Sequence, residues 1–285
     1  MKLGVSSYSL VNELESGEMD ILGVVDWIAD QSGEHIEIVP IGFELTGNPD
    51  LADAIREKAK SRNIDVSNYA IGANFETDSQ EAFELEIKRV MGEVDVAARL
   101  GVTRMRHDVA SSSDTSIGNF HRQLDRLAEA CGRIADYAAQ YGIVTSVENH
   151  GYFIQASDRV QALIQRVNRT NFRTTLDVGN FMCVDENSVV AVKNNIAYAS
   201  VVHVKDFYWR PSYQNPGEGW FQTASGNYLR GAIAGHGDID MREVLRVVKA
   251  SGYDGYISLE FEGLEECKRG TRIGLDNVRR LWNES

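Results

Sequence analysis

The chain has 285 residues, 43% apolar and 25% charged, with 29 Lys and Arg against 42 Asp and Glu for a net charge of −13. That balance belongs to a soluble globular protein; no run approaches the ~18 apolar residues of a membrane helix, and no basic patch is set aside for a nucleic-acid backbone. Cys131, Cys183 and Cys267 are odd in number and far apart, so neither a CxxC zinc pattern nor a disulfide framework is present, as in a reducing cytoplasm.

The opening MKLGVSSYSL lacks the apolar core of a secretory signal, so a cytoplasmic protein is expected. From there, short β-rich runs alternate with longer amphipathic ones. The expected strands are Leu3–Ser9, Ile36–Ile41, Val66–Ala73, Val102–Val109, Val144–His150, Arg173–Asn180, Val201–Phe207 and Ile257–Phe261, each rich in Val, Ile, Tyr or Thr. Between them, Ser79–Leu100 carries apolar residues at spacings of three and four, and Gly101 follows it. Asn119–Tyr141 repeats the pattern ahead of Gly142, and Ser157–Asn168 and Asn187–Ser200 are shorter helices of the same kind. Asp240 with Glu243 reads as a capping box before Val244, Leu245 and Val248.

Eight strands each followed by a helix predict an α/β fold, a closed (β/α)8 TIM barrel forming one domain over residues 1–285. An open doubly wound sheet is the competitor, but no GxGxxG follows the first strand. In such a barrel the chemistry sits at the carboxyl ends of the strands. The fifth strand ends in Glu148-Asn149-His150, the sixth in Asp177-Val178-Gly179-Asn180, the seventh holds His203, and the eighth holds Glu260. A carboxylate in an apolar strand is costly unless paired or bound to metal. Glu148, Asp177, His203 and Glu260 are therefore the expected ligands of a divalent cation, Mn²⁺ or Mg²⁺ first, with Co²⁺, Fe²⁺ or Zn²⁺ as alternatives. Four independent rim salt bridges are the alternative to a metal.

The runs SVENHG, TTLDVGNF, VVHVKDF, GHGDIDM and YDGYISLEFEG resemble the xylose-isomerase-like TIM-barrel superfamily. Within it they are most similar to the sugar isomerase/epimerase branch, which includes D-tagatose 3-epimerase, hydroxypyruvate isomerase and inosose dehydratase. The resemblance implies that the same four residues hold the metal and that Glu148 and Glu260 are also the acid/base pair. A cation chelating a ketose hydroxyl and carbonyl would acidify the C–H between them and stabilise an enediolate. A carboxylate on each face could then remove and return the proton. The expected enzyme is a metal-dependent sugar isomerase or epimerase. The alternative on the same scaffold is a lyase that loses water, CO2 or an aglycone from a keto-sugar or keto-glycoside. An abasic-site endonuclease ranks below both, since Asn180 stands where many relatives carry a histidine. A non-catalytic sugar-binding barrel has no use for an intact ligand set.

Around the ligands, His150, Asn180, Lys205, His236 and His107 are expected substrate contacts. For His150, Lys205 and His236 a structural role is the competing reading. Glu262 shares a face with Glu260 and is its rival as a ligand, and Arg104, Arg106 and Asp108 share one parity, with no sign of which set faces inward. Trp27 and Trp282 read as helix packing. From Tyr208 to Tyr228 lie six aromatics in 21 residues: Tyr208, Trp209, Tyr213, Trp220, Phe221 and Tyr228. Long loops in compact domains are usually functional, so residues 208–234 are expected to form an aromatic lid or platform, with Trp209 among the substrate contacts. The rival is a homo-oligomer interface. With no glycine-rich phosphate cradle, the expected partner is a non-phosphorylated carbohydrate, without nucleic acid or membrane.

Overall fold

A computed structural model describes residues 1–285. Eight parallel strands close a barrel: β1 (Lys2–Ser6), β2 (His35–Ile38), β3 (Asp65–Ile71), β4 (Arg104–His107), β5 (Val144–Glu148), β6 (Phe172–Asp177), β7 (Ala199–Val204) and β11 (Tyr256–Leu259). β1 closes the ring against β11, with Leu3 opposite Ile257 and Val5 opposite Leu259. Around it run α1 (Val11–Ser16), α2 (Ile21–Asp30), α3 (Pro49–Ser61), α4 (Gln80–Leu100), α5 (Ile117–Ala138), α6 (Ser157–Val167), α7 (Ser188–Asn195), α8 (Met241–Ala250) and α9 (Cys267–Glu284). None is long and apolar enough to cross a membrane.

The helix signals act as their chemistry dictates. Ser79 caps α4 by accepting from the Ala82 amide, Ser116 caps α5 through Asn119, and Asp240 caps α8 through Glu243. The Glu243 carboxylate pairs with Arg246 instead of completing a capping box. Gly101 and Gly142 end their helical runs at φ +78° and +70°, a left-handed conformation that costs glycine least. The apolar stripes of the helices and the outward-facing strand residues form one cluster of 68 buried residues. Trp27 and Trp282 pack on its edge, and all three cysteines are buried and free.

The aromatic excursion after the seventh barrel strand is not an irregular loop. β7 stops at Val204, and after Lys205 the chain continues as β8 (Asp206–Arg210), which pairs antiparallel with β10 (Tyr228–Ala232), itself paired with the short β9 (Phe221–Gln222). The Asp206 carboxylate clamps this small sheet, accepting from the backbone amides of Phe207, Gly235, Gly237 and Ile239. Gly231 lets β10 lie flat on the neighbouring turn, since a Cβ there would stand 2.3 Å from the Glu262 carbonyl oxygen.

Candidate functional site

Parallel pairing brings the expected ligands to one level. Asp177 lies opposite His203 and His203 opposite Ser258, while the Glu260 amide donates to the Val204 carbonyl. One ligand atom each from Glu148, Asp177, His203 and Glu260 falls within 4.8 Å of all the others. His203 Nδ1 stands 3.7 Å from Glu148, 3.8 Å from Asp177 and 3.8 Å from Glu260. All four residues are buried.

Whether these residues fit a cation is tested by their loose ends. His203 Nδ1 is buried without a hydrogen-bond partner, though such atoms are almost always satisfied in folded proteins, and Asp177 Oδ2 meets only the Lys205 amine, at 3.3 Å. Both belong to the facing ligand set. Every other ligating group is held from behind. His203 Nε2 lies 2.9 Å from the Glu37 carboxylate, which also accepts from Asn68 and Ser258. With a cation bound, a carboxylate there would keep the proton on Nε2 and leave the Nδ1 lone pair to the cage, as metal-bound histidines are usually supported. Asp177 Oδ1 accepts from the amides of Gly179 and Asn180 at 2.8 Å each. Asn149 braces the Asp177 backbone at both its N–H and its C=O. Three carboxylates and one imidazole, oriented in this way, suit a divalent cation.

Each glutamate of the cage has its own cation. Arg106 Nε lies 2.6 Å from Glu148 Oε2 and Arg106 also pairs with Asp108 at 3.1 Å. Lys205 Nζ lies 2.7 Å from Glu260, 3.3 Å from Asp177 and 3.6 Å from Glu262. Asn180 Nδ2 donates to Glu148 Oε1 at 3.0 Å. Burial raises all three ligand carboxyls. For Glu148, Arg106 and His203 outweigh it and hold the group well below the usual range. For Glu260, Lys205 and His203 hold it down. For Asp177 burial wins, pushing it up to about 6 despite Lys205.

The cage opens into a cavity of about 440 Å³ at the carboxyl ends of the strands, whose wall includes Tyr8, Glu37, Arg106, Asp108, His150 and Lys205. His150 is half exposed there and its Nδ1 lies 3.2 Å from Asp108. A second chamber of about 400 Å³ shares Tyr8, His150, Lys205 and Glu262 with the first and reaches Asn180, Tyr152 and the small sheet. His150, Asn180 and Lys205 line these chambers. Glu262 faces the cavity and pairs with Lys205, outside the four-residue cage.

Three expected substrate contacts lie elsewhere. His107 is fully buried behind the barrel wall, its ring edge-on to Phe75 and its Nδ1 on the Asp108 carbonyl; strand alternation turns Arg106 and Asp108 inward and His107 out. Trp209, two residues past the chamber-lining Phe207, faces a separate surface hollow with Asp185, Asn227 and Asp238. His236 is exposed in the turn after β10, because the flanking Gly235 and Gly237 amides are taken by Asp206. Glu37, Arg106 and Asn149 carry support that the sequence reading did not assign. For Glu37 the signal was there: a carboxylate within His35-Ile36-Glu37-Ile38, all buried, is the same anomaly that marked the ligands.

Comparison with known proteins agrees with this architecture. Residues 25–281 match the family profile described as xylose isomerase-like TIM barrel. An inosose dehydratase of Lactiplantibacillus plantarum is 25% identical over 240 residues, covering 79% of each chain. Among solved structures, D-psicose 3-epimerase of Clostridium cellulolyticum H10 with D-tagatose superimposes at a TM-score of 0.74, with 14% identity over 99% of both chains. IolI with a bound zinc atom superimposes at 0.73, with 17% identity over 100% of this chain and 97% of its own.

Proposed function

Because the chain belongs to the xylose isomerase-like TIM-barrel family, we propose that it is a divalent-metal-dependent enzyme that moves a proton next to the carbonyl of a keto-sugar or keto-polyol, with Glu148 and Glu260 as its acid/base pair. The observation that carries this reading is the pairing of two glutamates with two separate cations, Arg106 and Lys205, around the unsatisfied His203 Nδ1. Glu148, Asp177, His203 and Glu260 would hold the cation, and when bound it would polarise the substrate carbonyl and stabilise the negative charge that builds on its oxygen.

The residues of the chain account for the rest. Ionised by its cation partner, a glutamate carboxylate can accept the proton from the carbon beside the carbonyl. The first glutamate keeps that proton while the second, having taken up one from solvent, delivers it to the opposite face and inverts the centre; delivery of the removed proton by the same glutamate to the neighbouring carbon gives an isomer. Arg106 and Lys205 restrict the swing of the two carboxylates, and Glu37 fixes the imidazole. His150 and Asn180 supply hydrogen bonds to substrate hydroxyls.

A second reading is a lyase, favoured by the inosose dehydratase relative. The same proton abstraction would be followed by loss of the hydroxyl on the next carbon, leaving as water with the removed proton, which the glutamate that took it passes on. The two are told apart by product mass. Mn²⁺-loaded protein in D2O with D-psicose, D-tagatose or an inosose is expected to take deuterium into a carbon-bound position. Retention of the oxygen count identifies an isomerase or epimerase, and loss of one water a dehydratase. No exchange and no product on the whole set would remove the keto-sugar reading.

A further inference from the structure

The cage accounts for one of two adjoining chambers. The first, about 440 Å³, is walled largely by charged side chains. The second, about 400 Å³, is of another character: Tyr152, Phe207, Phe221, Leu264 and Cys183 line it, between the backbones of Gly151, Gly219 and Gly231. Each alone falls within the roughly 300–1,000 Å³ that receives a whole small ligand. A single sugar ring held at the cage would leave the second chamber empty. Two of its apolar residues are exposed, while Phe207 and Cys183 are buried. Phe221 keeps 39% of its surface and Leu264 67%, a cost that a ligand covering them would offset.

The wall is prepared for a flat apolar group. Phe207 and Phe221 meet edge-on at 5.7 Å, and the Tyr152 hydroxyl is held by the Gln222 carbonyl. At the rim, the Arg230 guanidinium stacks over Tyr208 at 4.8 Å and Trp220 at 5.5 Å, with its Nε buried and without a hydrogen-bond partner. A planar cation held by two rings favours an electron-rich ring beside it. Asp206 clamps the sheet and Gly231 seats it against Glu262, so the chamber is open without a ligand.

We infer that the substrate has two parts: a polyhydroxylated ring at the Glu148–Asp177–His203–Glu260 cage and a planar apolar substituent, as in an aryl glycoside, in the chamber walled by Tyr152, Phe207, Phe221 and Leu264. The inference rests on the keto-sugar reading for the first part alone. It is tested by calorimetric titration of the Mn²⁺-loaded protein with phenyl β-D-glucopyranoside and methyl β-D-glucopyranoside. The phenyl glycoside is expected to bind at least about tenfold tighter. Phe221→Ala and, separately, the surface change Leu264→Ser are expected to cut that preference to about threefold or less while leaving methyl glycoside affinity unchanged. Equal binding of the two, or a preference that survives both substitutions, would overturn the two-part substrate and leave the keto-sugar reading intact. Absence of binding by either glycoside would also overturn it, and the deuterium exchange assay would then judge the keto-sugar reading separately.

Discussion

Glu37 shows how one buried side chain sets the behaviour of another 166 positions away. Its carboxylate decides which imidazole nitrogen of His203 keeps the proton, and so whether Nδ1 is free for a cation. Glu37→Gln is expected to weaken Mn²⁺ binding by about 10–100-fold, the usual cost of losing such support, with far-UV circular dichroism unchanged. Competition against a metal-responsive dye checks it; unaltered affinity would mean that the tautomer is fixed by something other than Glu37. Glu260→Gln probes the chemistry itself. It keeps the shape of the side chain and the contact with Lys205 while removing the base, so kcat should fall by about 10²–10⁴ with KM changed far less. The ligands were legible in the sequence because each is a polar residue embedded in an apolar strand end. Arg106 was not, since alternation gives two possible faces and only the closed barrel says that Arg106 and Asp108 look in while His107 looks out.

Asp206 does for the small sheet what Glu37 does for the ligand. Four backbone amides converge on one buried carboxylate. Asp206→Ala would leave amides without an acceptor at about 1–3 kcal/mol each where they stay dry. The variant is expected to lose several kcal/mol of stability in urea and to show faster amide exchange in residues 206–239, with the barrel strands still protected. Equal exchange across the whole chain would mean that the sheet and the barrel open together. This element was only half visible beforehand. Its aromatics stood out by number, yet β8 read as the tail of the seventh strand because only Lys205 separates Asp206 from Val204. β10 has Gly231 and Arg230 among few apolar residues, too weak an alternation to announce a strand.

The barrel as a whole was the most legible level, because eight repeats of one pattern reinforce one another and closure follows from their number. Its stability should carry an acid limit set far from the cage. His35 lies buried in β2 with Nε2 on the Ile257 carbonyl, and burial depresses its pKa from 6.5 to about 4. Between those values the unfolded chain binds a proton that the folded chain refuses, so stability is full above pH 6.5 and is lost as pH falls toward 4. The contribution is at most about 3 kcal/mol. In His35→Gln the slope of unfolding free energy against pH over that window should be shallower; an unchanged slope would exclude His35 as a source.

One stretch of chain joins both halves of the binding region. His203 supplies the cage, Lys205 the amine beside Glu260, Asp206 the clamp and Phe207 the chamber wall, all within five consecutive residues. Such adjacency leaves little room to reshape the wall at its root without dragging the catalytic groups along. The distal turn over residues 211–220 is different: it is mostly exposed and far along the hairpin from His203. Lengthening, shortening or recoding that tip is the natural route by which one scaffold could come to accept a different appendage on its ligand while the reaction stays the same, and a library built there, with residues 203–207 left alone, is where altered selectivity should be sought.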